Sequence, residues 1–172
     1  FWHTLFTHLG FRVVFSGPSS RPLYLRGQYS IPSDTACYPA KIMHGHMEDL
    51  IERGVDAIFY PCLTYNVDEG VSDNHYNCPV VAYYSELLKG NMESLRKTKF
   101  LYPYLNINQP KELTKELHAY LNRQLVDKNP DHFTKREISD AVKAAYAAYD
   151  RWMADIRAEG EAAVKWARAR GQ

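Results

Sequence analysis

All three cysteines of the chain fall within residues 37–78, and each stands within two residues of a proline: Cys37-Tyr38-Pro39, Pro61-Cys62 and Cys78-Pro79. Thiolates are the ligand type for zinc, Cu(I) and iron–sulfur clusters. His44 and His46 follow Cys37 within about two to three helical turns, and His75 stands three residues before Cys78. The window is therefore a candidate metal site. Cys37, Cys62 and Cys78 are its ligands, with His75 and His44 as lesser candidates. The competing reading is that each cysteine is a small buried hydrophobe. A disulfide is disfavoured, because three is odd and no secretion signal opens the sequence. No C-x-x-C knuckle is present, which argues against a zinc ribbon. Structural zinc through the cysteines with His75 stays as an alternative. His44 and His46 are two residues apart on a helix and point to different faces, so they do not readily share an ion. Lys41, one turn after Cys37, could offset the charge of an anionic cluster. Tyr38, Tyr60 and Pro61 could shield it from water.

The elements that would position these residues can be read from periodicity. Trp2, Leu5, Phe6 and Leu9 recur at helical spacing and Gly10 stops them. Phe11–Phe15 reads as a strand running into the turn Ser-Gly-Pro-Ser-Ser. Residues 18–36 are polar and proline-rich. A helix is expected from Pro39 to Arg53, ended by Gly54, and Val55–Tyr60 reads as the clearest buried strand. Residues 63–77 form a long loop, the kind that is often functional. Val80–Tyr83 reads as a short strand, Ser85 as the cap of a short helix, and Phe100–Leu105 as another strand. Pro110–Leu125 presents the helical face Leu113, Leu117, Tyr120, Leu121 and Leu125. Asn129-Pro130-Asp131 breaks the chain, and Thr134 with Glu137 forms a capping box ahead of a long helix.

This alternation predicts an α/β layered domain of flavodoxin or Rossmann type with a mostly parallel sheet over residues 1–130. A long helical extension over 131–172 packs on it or on a further domain. In such sheets ligands sit beyond the carboxyl ends of the strands. Cys62 ends a strand, and Cys37 opens the helix that leads into it, so the two can meet at that edge. Cys78 joins them only if strand 80–83 is antiparallel or the loop folds over the edge.

Composition excludes several classes. A net charge of +1 gives no general field for nucleic acid or an anionic membrane. No apolar run approaches the roughly 18 residues of a membrane span. Neither G-x-G-x-x-G nor a P-loop occurs, so no nucleotide site is expected in this stretch. The opening Phe-Trp-His-Thr-Leu-Phe lacks an initiator methionine and reads as the interior of a longer protein. Cysteine usage fits a reducing cytoplasm.

The motifs Phe-Trp-His-Thr-Leu-Phe, Leu-Gly-Phe-Arg-Val-Val-Phe-Ser, Cys-Tyr-Pro-Ala-Lys, His-Gly-His, Phe-Tyr-Pro-Cys and Asp-Asn-His-Tyr-Asn-Cys-Pro, all within residues 1–105, resemble those of the large bacterial activators of 2-hydroxyacyl-CoA dehydratases. In those proteins, ATPase domains of the actin/Hsp70 type are fused to a region similar to the dehydratase subunits. This chain is similar to the second region. The resemblance implies a flavodoxin-like subdomain holding a 4Fe–4S or related cluster through thiolates, and a partner ATPase (activase) domain that injects a low-potential electron. Cys37 and Cys62 match two ligand places of the dehydratases, and Cys78 matches the narrower activator-like group. It further implies that this stretch is not catalytic alone. A homo-oligomer is left open. The alternative function is an inert interaction domain with buried cysteines.

Overall fold

The computed structural model describes residues 1–70, 72–125 and 132–171. Its elements are α1 (Trp2–His8), α2 (Arg21–Gly27), α3 (Tyr38–Glu52), β1 (Ala57–Phe59), β2 (Cys62–Leu63), α4 (Pro79–Asn91), β3 (Lys99–Leu101), β4 (Tyr104–Leu105), α5 (Pro110–Leu125) and α6 (Lys135–Arg168). Short 3-10 turns cover Gln28–Ser30 and Glu93–Lys97. Helix accounts for 61% of the described residues and strand for 7%, so helices carry most of the core.

β1 pairs with β3 and β2 with β4, both parallel. The two ladders are one ribbon interrupted by prolines. Tyr60 N–H donates to Leu101 C=O and Cys62 N–H to Pro103 C=O, so the register runs through the break. Pro103, which turns its backbone to the inner strand, has no N–H to give, and the formal pairing stops there.

Side chains alternate across this ribbon, and each face has its own core. Ile58, Tyr60 and Phe100 face α3 and α4, packing with Ala40, Met47, Tyr84 and Leu88. Phe59, Leu63 and Leu105 face the other way, into a core built by Leu5 of α1, Leu113, Leu117 and Leu121 of α5, and Ile138, Val142 and Ala145 of α6. The result is a helix–sheet–helix sandwich with parallel strands, the α/β class expected from the alternation of elements.

Outside α3 lies α2, a helix that the proline-rich reading of residues 18–36 did not anticipate. Ser20 caps it with its hydroxyl on Leu23 N–H, and Pro22 fits the first turn. α2 and α3 approach at two glycines. A Cβ on Gly27 would stand 2.2 Å from the Gly45 nitrogen, and one on Gly45 would stand 2.0 Å from the Leu23 oxygen. Backbone contact this close is possible only where both helices lack a side chain.

Three expectations need correction. Phe11–Phe15 pairs with no strand among the described residues. Side chains hold the segment and the turn after it instead: Phe11 packs on Phe6 and Phe133, and Gly17 N–H donates to Asp49. Val80–Tyr83 is not a strand but the first turn of α4. Its β-branched pair suggested strand, yet Ala82, Ser85 and Leu88 recur at helical spacing and are the positions buried. Ser85 is consequently a mid-helix residue, not a cap. Other local signals hold. Gly10 and Gly54 adopt positive φ after α1 and α3. The Thr134–Glu137 capping box is formed in both directions. The break expected at 129–131 lies outside the described residues.

Candidate functional site

The conversion of 80–83 into helix changes the geometry around Cys78. The helix that follows a strand in a parallel unit begins at the strand's carboxyl edge, and so does the helix that precedes it and runs antiparallel to it. α3 precedes β1 and α4 follows β2, so both helices start at the edge where Cys62 stands. Cys37 is the N-cap of α3 (φ −63°, ψ 155°) and Cys78 the N-cap of α4 (φ −61°, ψ 155°). Each is followed by proline in the first turn, and neither uses its side chain to cap. Both thiols are exposed and free, beside backbone N–H groups and the positive end of a helix dipole.

Cys62 differs. It is fully buried on the α4 face of the ribbon and shares a 3.1 Å hydrogen bond with Ser85 Oγ. Burial pushes its thiol up, with the bonds to Ser85 and Tyr104 acting against that. Two tyrosines tie the three cysteines together. Tyr60 is pushed up to about 12 by burial and then by Cys62, Tyr84 and Cys78. Tyr84 is raised by burial and by Cys37.

The histidines take other roles. His44 is buried and bonded at both nitrogens, to Ser30 Oγ at 2.7 Å and to Tyr84 Oη at 3.0 Å. Ser30 gives its only proton to Gly27 C=O. It must therefore accept from His44 Nδ1–H, and His44 Nε2 must accept from the Tyr84 hydroxyl. The imidazole is neutral, and burial lowers its pKa to about 4. It has no lone pair left for an ion in this arrangement. His46 bonds Ser16 and Ser19 and holds the turn after Phe15. His75 sits in the 63–77 loop, 3.7 Å from Asp68, where Tyr65 and Tyr76 form an antiparallel bridge.

The remaining residues of the window support its edges. Lys41 donates to Asp34 C=O and braces the turn into Cys37. Tyr38 is half exposed and stacks on Tyr24. Tyr84 and Ser85, which touch this network directly, carry no motif in the sequence. Only α4 as a helix places both inward.

Among the described residues, no group of three His, Cys, Asp or Glu stands close enough to hold a single metal ion. The zinc arrangement of three cysteines with His75 is therefore not formed. A single ion needs all its ligands at one point. An iron–sulfur cluster takes each thiolate on a different iron, and its ligands stand farther apart. The donors present are three thiols, two of them at helix N-termini and the third beside a serine hydroxyl.

Fold and site together define an α/β domain that presents cysteines at the carboxyl edge of a parallel ribbon. The chain belongs to the family described as the CoA enzyme activase uncharacterised domain (DUF2229), whose model matches residues 1–172. The match includes α5 and α6, beyond the 1–105 stretch in which the motifs lie. Neither the curated proteins nor the solved structures gave a match. No helix among the described residues is long and apolar enough to cross a membrane.

Proposed function

We propose that this domain is the iron–sulfur redox module of an activase-type, ATP-driven electron-transfer protein, with Cys37, Cys62 and Cys78 as cluster ligands. One observation carries the reading. Two uncapped cysteines open two neighbouring helices with the same backbone geometry, and the third cysteine lies on the ribbon against α4. When bound, the cluster supplies one-electron chemistry at low potential. The chain's own residues do the rest. The N-termini of α3 and α4 favour the anionic thiolates. Ser85 orients Cys62 by its hydrogen bond. Tyr60, Tyr84 and the prolines keep water from the buried side. The electron donor is the ATPase domain of the same system and the acceptor a dehydratase-type partner. Both operate in the reducing cytoplasm, where thiolates stay free.

Anaerobic reconstitution with iron and sulfide tests the proposal. A broad visible band, bound iron and sulfide, and a paramagnetic signal on reduction are expected. Colourless, iron-free protein after that treatment rejects it for this chain. Cys62→Ser should abolish retention, since its direction is fixed by the ribbon. Cys37→Ser and Cys78→Ser should resemble one another, because the two caps are alike. A second reading has its own support: the full burial of Cys62 suits an interaction domain with inert cysteines. Retention of no iron by a folded chain would favour it.

A further inference from the structure

Among the described residues the ribbon of β1–β2 and β3–β4 has only two strands, yet helices cover both its faces. Parallel sheets are built to be buried, and two strands alone are marginal. The outer edge of β3–β4 opens into a groove of about 820 Å³. Its floor is the backbone from Thr98 to Leu105. One wall comes from α4 and the turn after it, the other from α5.

In a parallel ladder, alternate residues turn both backbone groups to the same neighbour. Leu101 and Pro103 turn theirs to the inner strands. Phe100, Tyr102 and Tyr104 therefore face the groove. Among the described residues, the partner found for these outward groups is the Tyr120 hydroxyl, 3.2 Å from Tyr102 N. The walls add two further signs. Glu116 Oε2 is buried without a hydrogen-bond partner and lines the groove. Arg96 and Arg123 stand on opposite walls, and neither is in an ion pair among the described residues; Lys89 on the rim donates to the Tyr102 hydroxyl, and Glu86 on the same wall accepts from the Tyr104 hydroxyl.

We infer that this groove receives an extended strand of a partner polypeptide, which adds to β3–β4 as the third strand of the sheet. The strand's N–H and C=O groups pair with the outward backbone of Phe100 and Tyr104 and with the Tyr102 C=O, while Tyr102 N–H keeps its bond to Tyr120. One of its N–H groups, or a side-chain donor, satisfies Glu116. Its acidic side chains meet Arg96 on one wall and Arg123 on the other. About five to six residues span the edge, a usual strand length. Main-chain pairing supplies the affinity and the rim cations the choice of sequence. The cysteines take no part.

The test uses the metal-free 172-residue chain and three fluorescent seven-residue peptides: alternating Val and Glu, alternating Val and Lys, and the Val/Glu peptide with alternate amides N-methylated. Saturable binding is expected for the Val/Glu peptide. Binding should be at least roughly tenfold weaker for each of the others. Amide exchange at Phe100 and Tyr104 should slow when it binds. The double charge reversal Arg96→Glu with Arg123→Glu should invert the preference between the acidic and basic peptides while the unfolding midpoint stays near that of the parent. Failure of all three peptides to saturate overturns the inference. So does equal binding of all three, or protection confined to another surface. Sedimentation of the chain alone completes the test. If dimerisation is what protects Phe100 and Tyr104, the occupant is a second copy and the partner strand is refuted.

Discussion

Replacing Gly45 by alanine should destabilise the protein strongly, although alanine is the better helix former. Gly45 lies inside α3, where glycine costs about 1 kcal/mol relative to alanine. An isolated helix would gain that amount. In the folded chain the new Cβ stands 2.0 Å from the Leu23 carbonyl oxygen, whereas ordinary contact begins near 3.4 Å. The obstacle is backbone, so no rotamer can relieve it. α2 and α3 must part by about 1.4 Å at their crossing. Overpacking of a core costs ~1–3 kcal/mol, and more where the neighbour cannot move. Parting the helices also strains Arg26–Asp49, which joins the same pair, and Ser30–His44, which joins the 3-10 turn after α2 to α3. A net loss of about 3 kcal/mol follows, equal to a fall of about 6–12 °C in Tm for a chain of this size. Gly27→Ala meets the same wall and should behave alike. Gly160 in α6 is the internal control. A Cβ there meets nothing within 4 Å, so Gly160→Ala should raise stability by about 1 kcal/mol. Urea titrations of the three variants would decide. A Gly45→Ala midpoint at or above that of the parent would refute the close α2–α3 crossing.

Thiol labelling should divide the cysteines. Cys37 and Cys78 react with a maleimide in the native protein and Cys62 only after denaturation; fast native labelling of all three contradicts the buried Cys62–Ser85 pair. His44 should give stability a pH dependence. Its folded pKa, about 4, lies below the ordinary 6.5, so between those values only the unfolded chain takes the proton. Stability therefore falls as pH drops from about 6.5 to about 4 and flattens below. His44→Gln should remove that slope in urea titrations across this window, and its persistence would assign it elsewhere. Asp49 is held below its ordinary 3.8 by Gly17 N–H and by Arg53 and Arg26. The stability it contributes is present above that value and is lost at still lower pH, so the two effects separate. Asn122 donates to Phe133 C=O and accepts from Phe133 N–H, clamping the end of α5 to the approach to α6. Asn122→Ala leaves both groups unpaired and should cost about 2–3 kcal/mol by denaturant unfolding; a loss under about 0.5 kcal/mol would mean that the clamp is idle.

Local signals in the sequence were enough to place α1, α3, α5 and α6, the two strand lines and the capping box, because each depends on residues within a turn or two of itself. Gly10, Gly54, Pro39 and Thr134 act at close range and need no partner. The cysteine window and its prolines were legible for the same reason. Tertiary structure decided what lies between distant residues. Val80 and Val81 have strand propensity, and only the pull of Ala82, Ser85 and Leu88 into the core makes them helix. That choice turns Cys78 from a strand residue at an uncertain edge into a helix cap alike to Cys37. It also brings Tyr84 to His44, 40 residues away, and Ser85 to Cys62. His44 in the sequence is a candidate ligand; packing against α2 and α4 makes it a neutral, doubly bonded core residue. Phe11–Phe15 has every mark of a strand but finds no ladder among the described residues, since pairing requires a neighbour that the segment itself cannot specify. The crossing at Gly27 and Gly45 shows the same limit. Each glycine alone reads as a weak point in a helix, and only the meeting of the two helices explains why both are glycine.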